Sequence, residues 1–375
     1  MKKLDRNKLM KNIEEIASYD LNENNVFGSS YFVFQDGDTV LKKHFGTSDL
    51  NGKIPMGDKA IFRLASMTKP ITAIAVMILI DRGLISLSTP ASDFLPEFEN
   101  LHVVSPDGID LGKTKTAITV MHLLTHTSGF GTHSKTVTMS DDEMATINNT
   151  IECFIKAGLD FEPFSTHSYS PFAAFDVLAT IIEKVTGQEY EEFLKQEIFI
   201  PCNMKDTTFI PSDEQWKRIV DMHDKSDGNN TVRQMKPGCI FEDFPCEHKL
   251  AGAGLVSTLD DYIEFSKMLL NRGKTVNKQI VSEETFSLMH KPYVPEEIMP
   301  ENENWGLGVR VITDESYGSL PVGTFGWSGA YGSHFWIDFE NNLCAVFMKN
   351  SEVDGGAANA SACRFEKAVH DALID

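Results

Sequence analysis

The sequence predicts an α+β protein of two lobes with a cleft between them, and three observations lead there. Strand-like stretches stand at both ends of the chain, over 29–46 and again from about 305 onward, while the middle is largely helical. An apolar run from Ala73 to Ile80, continuing the spacing of Ile71 and Ile74, marks a helix buried nearly all round. With 375 residues and 42% hydrophobic content, the chain can bury a core large enough for two lobes.

Taken in order, residues 4–17 place Leu4, Leu9, Ile13 and Ile16 at helical spacing among charged residues, the pattern of an amphipathic surface helix. Tyr31 to Phe34, the turn Asp36-Gly37-Asp38 and Thr39 to Leu41 read as a hairpin. The buried helix runs over 66–82 and Gly83 stops it. Ser88-Thr89-Pro90 opens a turn and a short helical piece to Leu95, and Thr119 to Leu124 leads as a helix into the loop Thr125 to Gly129. Residues 172–186 carry Ala174, Leu178, Ile181, Ile182 and Val185 on one face, closed by Gly187. The stretch 212–250 has little periodicity, as a lid or binding loop would. A helix over 258–271 starts from a Thr258 cap with Asp260 and Asp261 in its first turn. Strands follow at 308–311, 334–337 and 343–347, and a helix over about 358–373 ends the chain. One sheet built from both ends, over 1–84 and 251–375, would then carry an inserted helical lobe over 85–250.

The net charge of −20 and pI near 4.9 exclude nucleic acid as a main partner, and no local Lys/Arg cluster reverses this. The apolar run is far short of the roughly 20 residues that span a bilayer. Met1 to Arg6 is basic with no apolar stretch behind it, so the expectation is a surface helix and not an export signal. The six cysteines lack C-x-x-C spacing, and free thiols in the cytoplasm are expected; the neighbours of Cys239 and Cys246 give no support to a metal or disulfide pair there. His122, His126 and His133 have no carboxylate or thiol at ligand spacing, which points to local structural roles. No metal or cofactor is expected.

The chemistry begins at Ser66-Met67-Thr68-Lys69. If the helix starts near Ser66, the i, i+3 spacing puts both side chains on one face, with the hydroxyl at the positive helix end and an amine in reach of its proton. A lysine in the first turn of a buried helix must snorkel out or sit in a polar cleft. The plainer alternative makes Ser66 a helix cap and Lys69 a solvated residue. Tyr169-Ser170 sits in a turn before a helix, where it could equally be a cap beside a packed ring. Gly326-Trp327-Ser328-Gly329-Ala330-Tyr331-Gly332 runs into a strand, and its glycines allow a backbone N–H to approach a bound carbonyl oxygen.

Together these segments resemble the serine β-lactamase and penicillin-binding-protein superfamily, most closely its class C, D-aminopeptidase and family VIII carboxylesterase branch. The likeness is carried by Ser66-x-x-Lys69-Pro70, His122 to Gly129, Tyr169-Ser170 with Ile181 to Gly187, Ala253 to Thr258, and Gly326 to Gly329. It implies the β-lactamase/transpeptidase-like fold, in which an antiparallel sheet is flanked by helices. It also implies Ser66 as the acylated nucleophile, Lys69 and Tyr169 as proton carriers, and the backbone N–H groups of Ser66 and Ala330 as the oxyanion hole. Two departures bear on substrate. Penicillin-recognising relatives usually have Asn where this chain has Pro171, and Lys-Thr-Gly or His-x-Gly where it has Trp327-Ser328-Gly329. Pro171, Trp327, Ser328 and Gly329 are therefore the candidate substrate-binding positions, and Phe161, Phe164, Phe172, Phe175, Phe241 and Phe244 a candidate apolar surround. The resulting expectation is an esterase acting on small esters. The alternatives are a β-lactamase, a D-amino-acid amidase or peptidase, or an acyltransferase using the same serine, and, in another class, a non-catalytic binding or scaffold protein.

Overall fold

The computed structural model describes all residues except 24–25, 50, 132–145, 224–231, 234–238, 242–243, 246–247, 300–301, 352–354, 357–358 and 375. Its frame is an antiparallel seven-stranded sheet. In chain order the strands are β1 (Gly28–Gln35), β2 (Asp38–Gly46), β3 (Glu303–Trp305), β4 (Arg310–Ile312), β5 (Phe325–Ser328), β6 (His334–Asp338) and β7 (Leu343–Met348). In space they lie β3-β4-β5-β6-β7-β1-β2, so the N-terminal hairpin docks onto the last strand of the C-terminal meander, with Met348 opposite Ser30 and Leu343 opposite Gln35.

Alternation along the strands sorts two cores. On the outer face Tyr31, Val33, Trp336, Ala345 and Phe347 pack against Leu9, Ile13 and Ala17 of helix α1 (Arg6–Glu23). Phe365, Ala368 and Val369 of the C-terminal helix join them. On the inner face Phe32, Phe325, Phe335 and Val346 belong to one continuous cluster with α2 (Thr68–Asp81), α3 (Val120–Leu124), α4 (Ile147–Ala157), α5 (Ala173–Thr186) and α6 (Leu259–Leu270). The C-terminal helix is α7 (Ala360–Asp371). Helix α2 is the hub, with every residue from Thr68 to Leu79 buried. No helix among the described residues is long and apolar enough to cross a membrane.

Differences from the sequence reading have local causes. Helix α1 continues past Ala17 to Glu23, where the buried Asp20 pairs with Arg364 at 2.6 Å and Leu21 keeps the four-residue spacing of Ile13 and Ala17. Strand β3 was not anticipated, since Glu303-Asn304-Trp305 is too short for a visible alternation. Helix α4 was not anticipated either; a Thr146 hydroxyl that accepts from Asn149 N caps it, Ile151 and Phe154 are buried in the core, and Ile147 and Ile155 pack against it. The 212–250 stretch includes a one-turn helix at Asp213–Trp216, but much of it, with the Cys239–Cys246 pair, His133 and the side chains of Phe241 and Phe244, lies outside the described residues.

Candidate active site

The chain reaches Ser66 through a short antiparallel ladder of Ile61–Arg63 on Val256–Thr258. A single 3₁₀ turn, Ala65–Met67, then carries the serine, and α2 begins only at Thr68, so the helix starts two residues later than the spacing suggested. The turn is fixed from three sides: Leu64 N donates to Leu255 O at 2.9 Å, Ser333 Oγ to Leu64 O at 3.3 Å, and Tyr262 Oη to Met67 O at 3.0 Å. Ala65 has φ +44°, a left-handed conformation that costs a non-glycine residue about 1–3 kcal/mol and survives only where the surroundings impose it. Ser66 itself is half-buried.

Lys69 neither snorkels nor faces solvent; it is 0% exposed. Its Nζ lies 3.4 Å from Ser66 Oγ and donates to Pro171 O at 2.8 Å and Gly252 O at 2.9 Å. The rings of Tyr169 and Phe175 flank the amine at 4.8 and 5.1 Å. Burial pushes the Lys69 ammonium well below its ordinary value, against an opposing pull from Asp176. The Gly252 carbonyl is held by a buried scaffold. Asp176 accepts from Ala251 N at 3.0 Å and pairs with His248 Nε2 at 3.0 Å, while Thr72 Oγ1 donates to Ala251 O at 2.7 Å.

The Tyr169 hydroxyl is hydrogen-bonded to Ser66 and accepts from Trp327 Nε1 at 3.1 Å. Burial raises its pKa above the ordinary phenol value, with the bonds to Ser66 and Trp327 pulling partly back. Two indole rings pack against it. The Trp327 ring lies 5.4 Å away, Trp305 5.9 Å, and the two tryptophans meet edge-on at 4.6 Å. His167 stacks on Trp305 at 5.8 Å, and burial lowers its pKa to about 4.

Ser66, Lys69 and Tyr169 thus meet in space, with Trp327 beside them. The proline at 171 offers no side-chain amide, but its carbonyl accepts a hydrogen bond from Lys69 Nζ. Ser328 is turned the other way: its hydroxyl is 2.8 Å from His334 Nδ1, and His334 Nε2 is 2.9 Å from the buried Glu366. A strand's alternation makes this necessary, since Trp327 faces the cleft side. Gly329 packs against Leu64 O, where an added Cβ would come within 2.4 Å, so the end of β5 lies directly on the serine turn. Of the phenylalanine surround, Phe175 lies under Lys69, whereas Phe164 is 36% exposed and stacks on His122 at 5.3 Å. Sequence reasoning missed Trp305, His167, Gly252 and Asp176. The available hint for Trp305 was its setting in Trp305-Gly306-Leu307-Gly308; Gly308, at φ +70°, lets the chain pass so close to α2 that a Cβ would meet Ala73 at 2.8 Å.

Comparison with known proteins bears on the family and the fold. The Beta-lactamase family model matches residues 9–364. The chain belongs to the Beta-lactamase family. Within that company it is 28% identical over 362 residues to Protein Rv1367c of Mycobacterium tuberculosis, covering 89% of each chain. It is 26% identical to Esterase EstB of Burkholderia gladioli over 385 residues, covering 94% of this chain and 93% of that one. A solved structure described as EstCE1, a hydrolase with promiscuous acyltransferase activity, superposes with a TM-score of 0.80 at 23% identity, covering 97% of this chain and 99% of that one. This last likeness is one of fold.

Proposed function

We propose that this Beta-lactamase-family protein is a serine hydrolase that cleaves small neutral esters through an acyl-enzyme on Ser66. One observation carries the reading: Ser66 sits between a buried amine and a buried phenol, each within reach of its hydroxyl. A neutral amine has two N–H donors and one lone pair. The two donors match Pro171 O and Gly252 O, which leaves the lone pair for the Ser66 proton. Burial favours the neutral amine, and it also favours the neutral phenol, so Tyr169 acts as a proton relay rather than as a phenolate.

In the acylation step Ser66 Oγ bonds to the ester carbonyl carbon while its proton passes to Lys69. The carbonyl oxygen, now negative, is stabilised by the backbone N–H groups of Ser66 and Ala330. As the tetrahedral species collapses, the carbon–alkoxide bond breaks and the proton travels through Tyr169 to the leaving oxygen. Water then repeats the sequence: its proton goes to the Tyr169–Lys69 pair, the acyl carbon leaves Ser66, and the serine regains a proton. The 3.4 Å separation of Lys69 from Ser66 is long for transfer and tightens as substrate is bound.

The esterase relative EstB supports esters as the substrate class, and the wall of Trp305, Trp327 and Tyr169 suits an apolar alcohol or acyl group. Trp327 and Pro171 stand where carboxylate- and amide-binding groups would be expected. Each lost charge-assisted or amide bond costs about 1.5–3 kcal/mol, so penicillins are disfavoured by roughly a hundredfold or more. The cytoplasm is the proposed location, consistent with the buried thiols Cys202 and Cys344. The test is kcat/KM for p-nitrophenyl acetate and butyrate beside nitrocefin and a D-Ala-D-Ala peptide. Faster ester turnover is expected; faster cleavage of nitrocefin or of the peptide replaces the reading with the lactamase or amidase alternative.

A further inference from the structure

We propose that His126 is a positioning residue that holds Tyr169 beside Ser66, an inference that rests on the reading of Tyr169 as proton relay. His126 grips the chain on both sides of the tyrosine. Its backbone carbonyl accepts from Ser168 N at 3.1 Å, and its ring Nδ1 accepts from Ser170 N at 3.0 Å. Between these two anchors its imidazole lies against the Tyr169 ring, 4.5 Å between centroids at 41°. The opposite contact is Trp305, 4.5 Å away and edge-on at 76°. Trp305 in turn packs on Trp327, whose indole N–H holds the Tyr169 hydroxyl. One residue therefore fixes the backbone before Tyr169, the backbone after it and one face of its ring. The neighbouring Thr127 extends the same seam by accepting from Phe164 N at 2.7 Å.

The way His126 is built argues that this grip is not incidental. Its backbone is left-handed, at φ +57°, where a side chain is strained. It is 0% exposed, and burial, with Lys69 and His167 nearby, holds its imidazole neutral. Because Nδ1 accepts from Ser170, the ring proton is on Nε2, and this buried atom has no hydrogen-bond partner among the described residues. Left-handed strain and an orphaned donor are both unfavourable, and a space-filling residue would need neither. They are tolerated together where a precise arrangement is required. Among the described residues His126 makes no hydrogen bond to Ser66 or Lys69; it acts through Tyr169.

The experiment compares His126→Ala and His126→Asn, each made in the native sequence and in Tyr169→Phe, with p-nitrophenyl acetate as substrate. Asparagine tolerates the left-handed backbone and can present an acceptor to Ser170 N, but it lacks the ring plate. Active-site titration with a fluorophosphonate normalises kcat, and circular dichroism checks the fold. We expect His126→Ala to lower kcat by about a hundredfold with KM nearly unchanged, and His126→Asn to recover about tenfold of it. In Tyr169→Phe the same His126→Ala change should cost less than about threefold, because the group it positions is already gone. Equal, multiplicative losses in both backgrounds overturn the proposal while leaving the Tyr169 relay standing. A Tyr169→Phe protein with native kcat overturns the relay and this inference with it. Should His126→Ala not fold, the His126→Asn pair supplies the same comparison.

Discussion

Gly252→Ala tests whether Lys69 depends on the two carbonyls that hold it. An ideal Cβ at this glycine would sit 2.6 Å from Pro171 O, 3.1 Å from Lys69 Nζ and 3.4 Å from Phe175 Cβ. Real Cβ contacts are essentially never shorter than 3.0 Å, so the Pro171 carbonyl has to retreat by about 0.4 Å, and it is backbone two residues from Tyr169. Its bond to Lys69, 2.8 Å long, stretches to the edge of hydrogen-bonding range, and the amine is pushed in the same move. A misplacement of about 1 Å costs roughly a hundredfold, so a shift of about 0.4 Å should lower kcat by roughly 5- to 10-fold. Overpacking adds about 1–3 kcal/mol of destabilisation. The assay is kcat with p-nitrophenyl butyrate beside thermal unfolding, with Gly57→Ala as control, since a Cβ there meets nothing within 4 Å. A Gly252→Ala enzyme whose kcat stays within about threefold of the native value, while the control behaves as expected, refutes the idea that these carbonyls set the amine.

Two further predictions concern stability. The His167 pKa is lowered by burial from 6.5 to about 4, so between these values the unfolded chain binds more protons than the folded one. Its contribution is present above pH 6.5 and is lost as the pH falls toward 4, about 2–3 kcal/mol in all, with His126 acting in the same direction. Urea unfolding at stepped pH values should show this slope, and His167→Gln should flatten it. Behind β5, burial alone would raise the Glu366 carboxyl, but His334, Arg310 and Tyr317 bring it down to about 2. Glu366→Gln removes the nearer of two carboxylates from the buried Arg310, at 3.1 Å against 3.7 Å for Glu303, and should cost about 3 kcal/mol in denaturant unfolding. Phosphonate labelling of the folded variant should stay within about threefold of native, because this network lies on the face of β5 opposite Trp327.

The parts legible in the sequence were those with a local code. Helices α2, α5 and α6 declare themselves by apolar spacing and caps, and the hairpin of β1 and β2 by its Asp-Gly turn. Ser66 and Lys69 are readable because three residues of helical spacing bring them together. Tyr169, 100 residues on, is readable only through the likeness of its surroundings to a family. What could not be read is what the tertiary fold assembles. Nothing local marks Trp305, on a three-residue strand, as the neighbour of both Trp327 and His126. Gly252 and Pro171 serve through backbone carbonyls, which carry no sequence signature. The burial of Lys69 was beyond reach for the same reason: the acceptors that make it tolerable come from two other segments of the chain.

The central claim, that Ser66 carries the acyl group, is tested most directly by intact mass spectrometry after a fluorophosphonate or p-nitrophenyl ester, with peptide mapping of the adduct. The account predicts one covalent adduct per chain on the peptide that holds Ser66, and none with Ser66→Ala, which should remain folded because a half-buried hydroxyl contributes little to the core. Undiminished labelling of Ser66→Ala, or an adduct mapped to another residue, would contradict it.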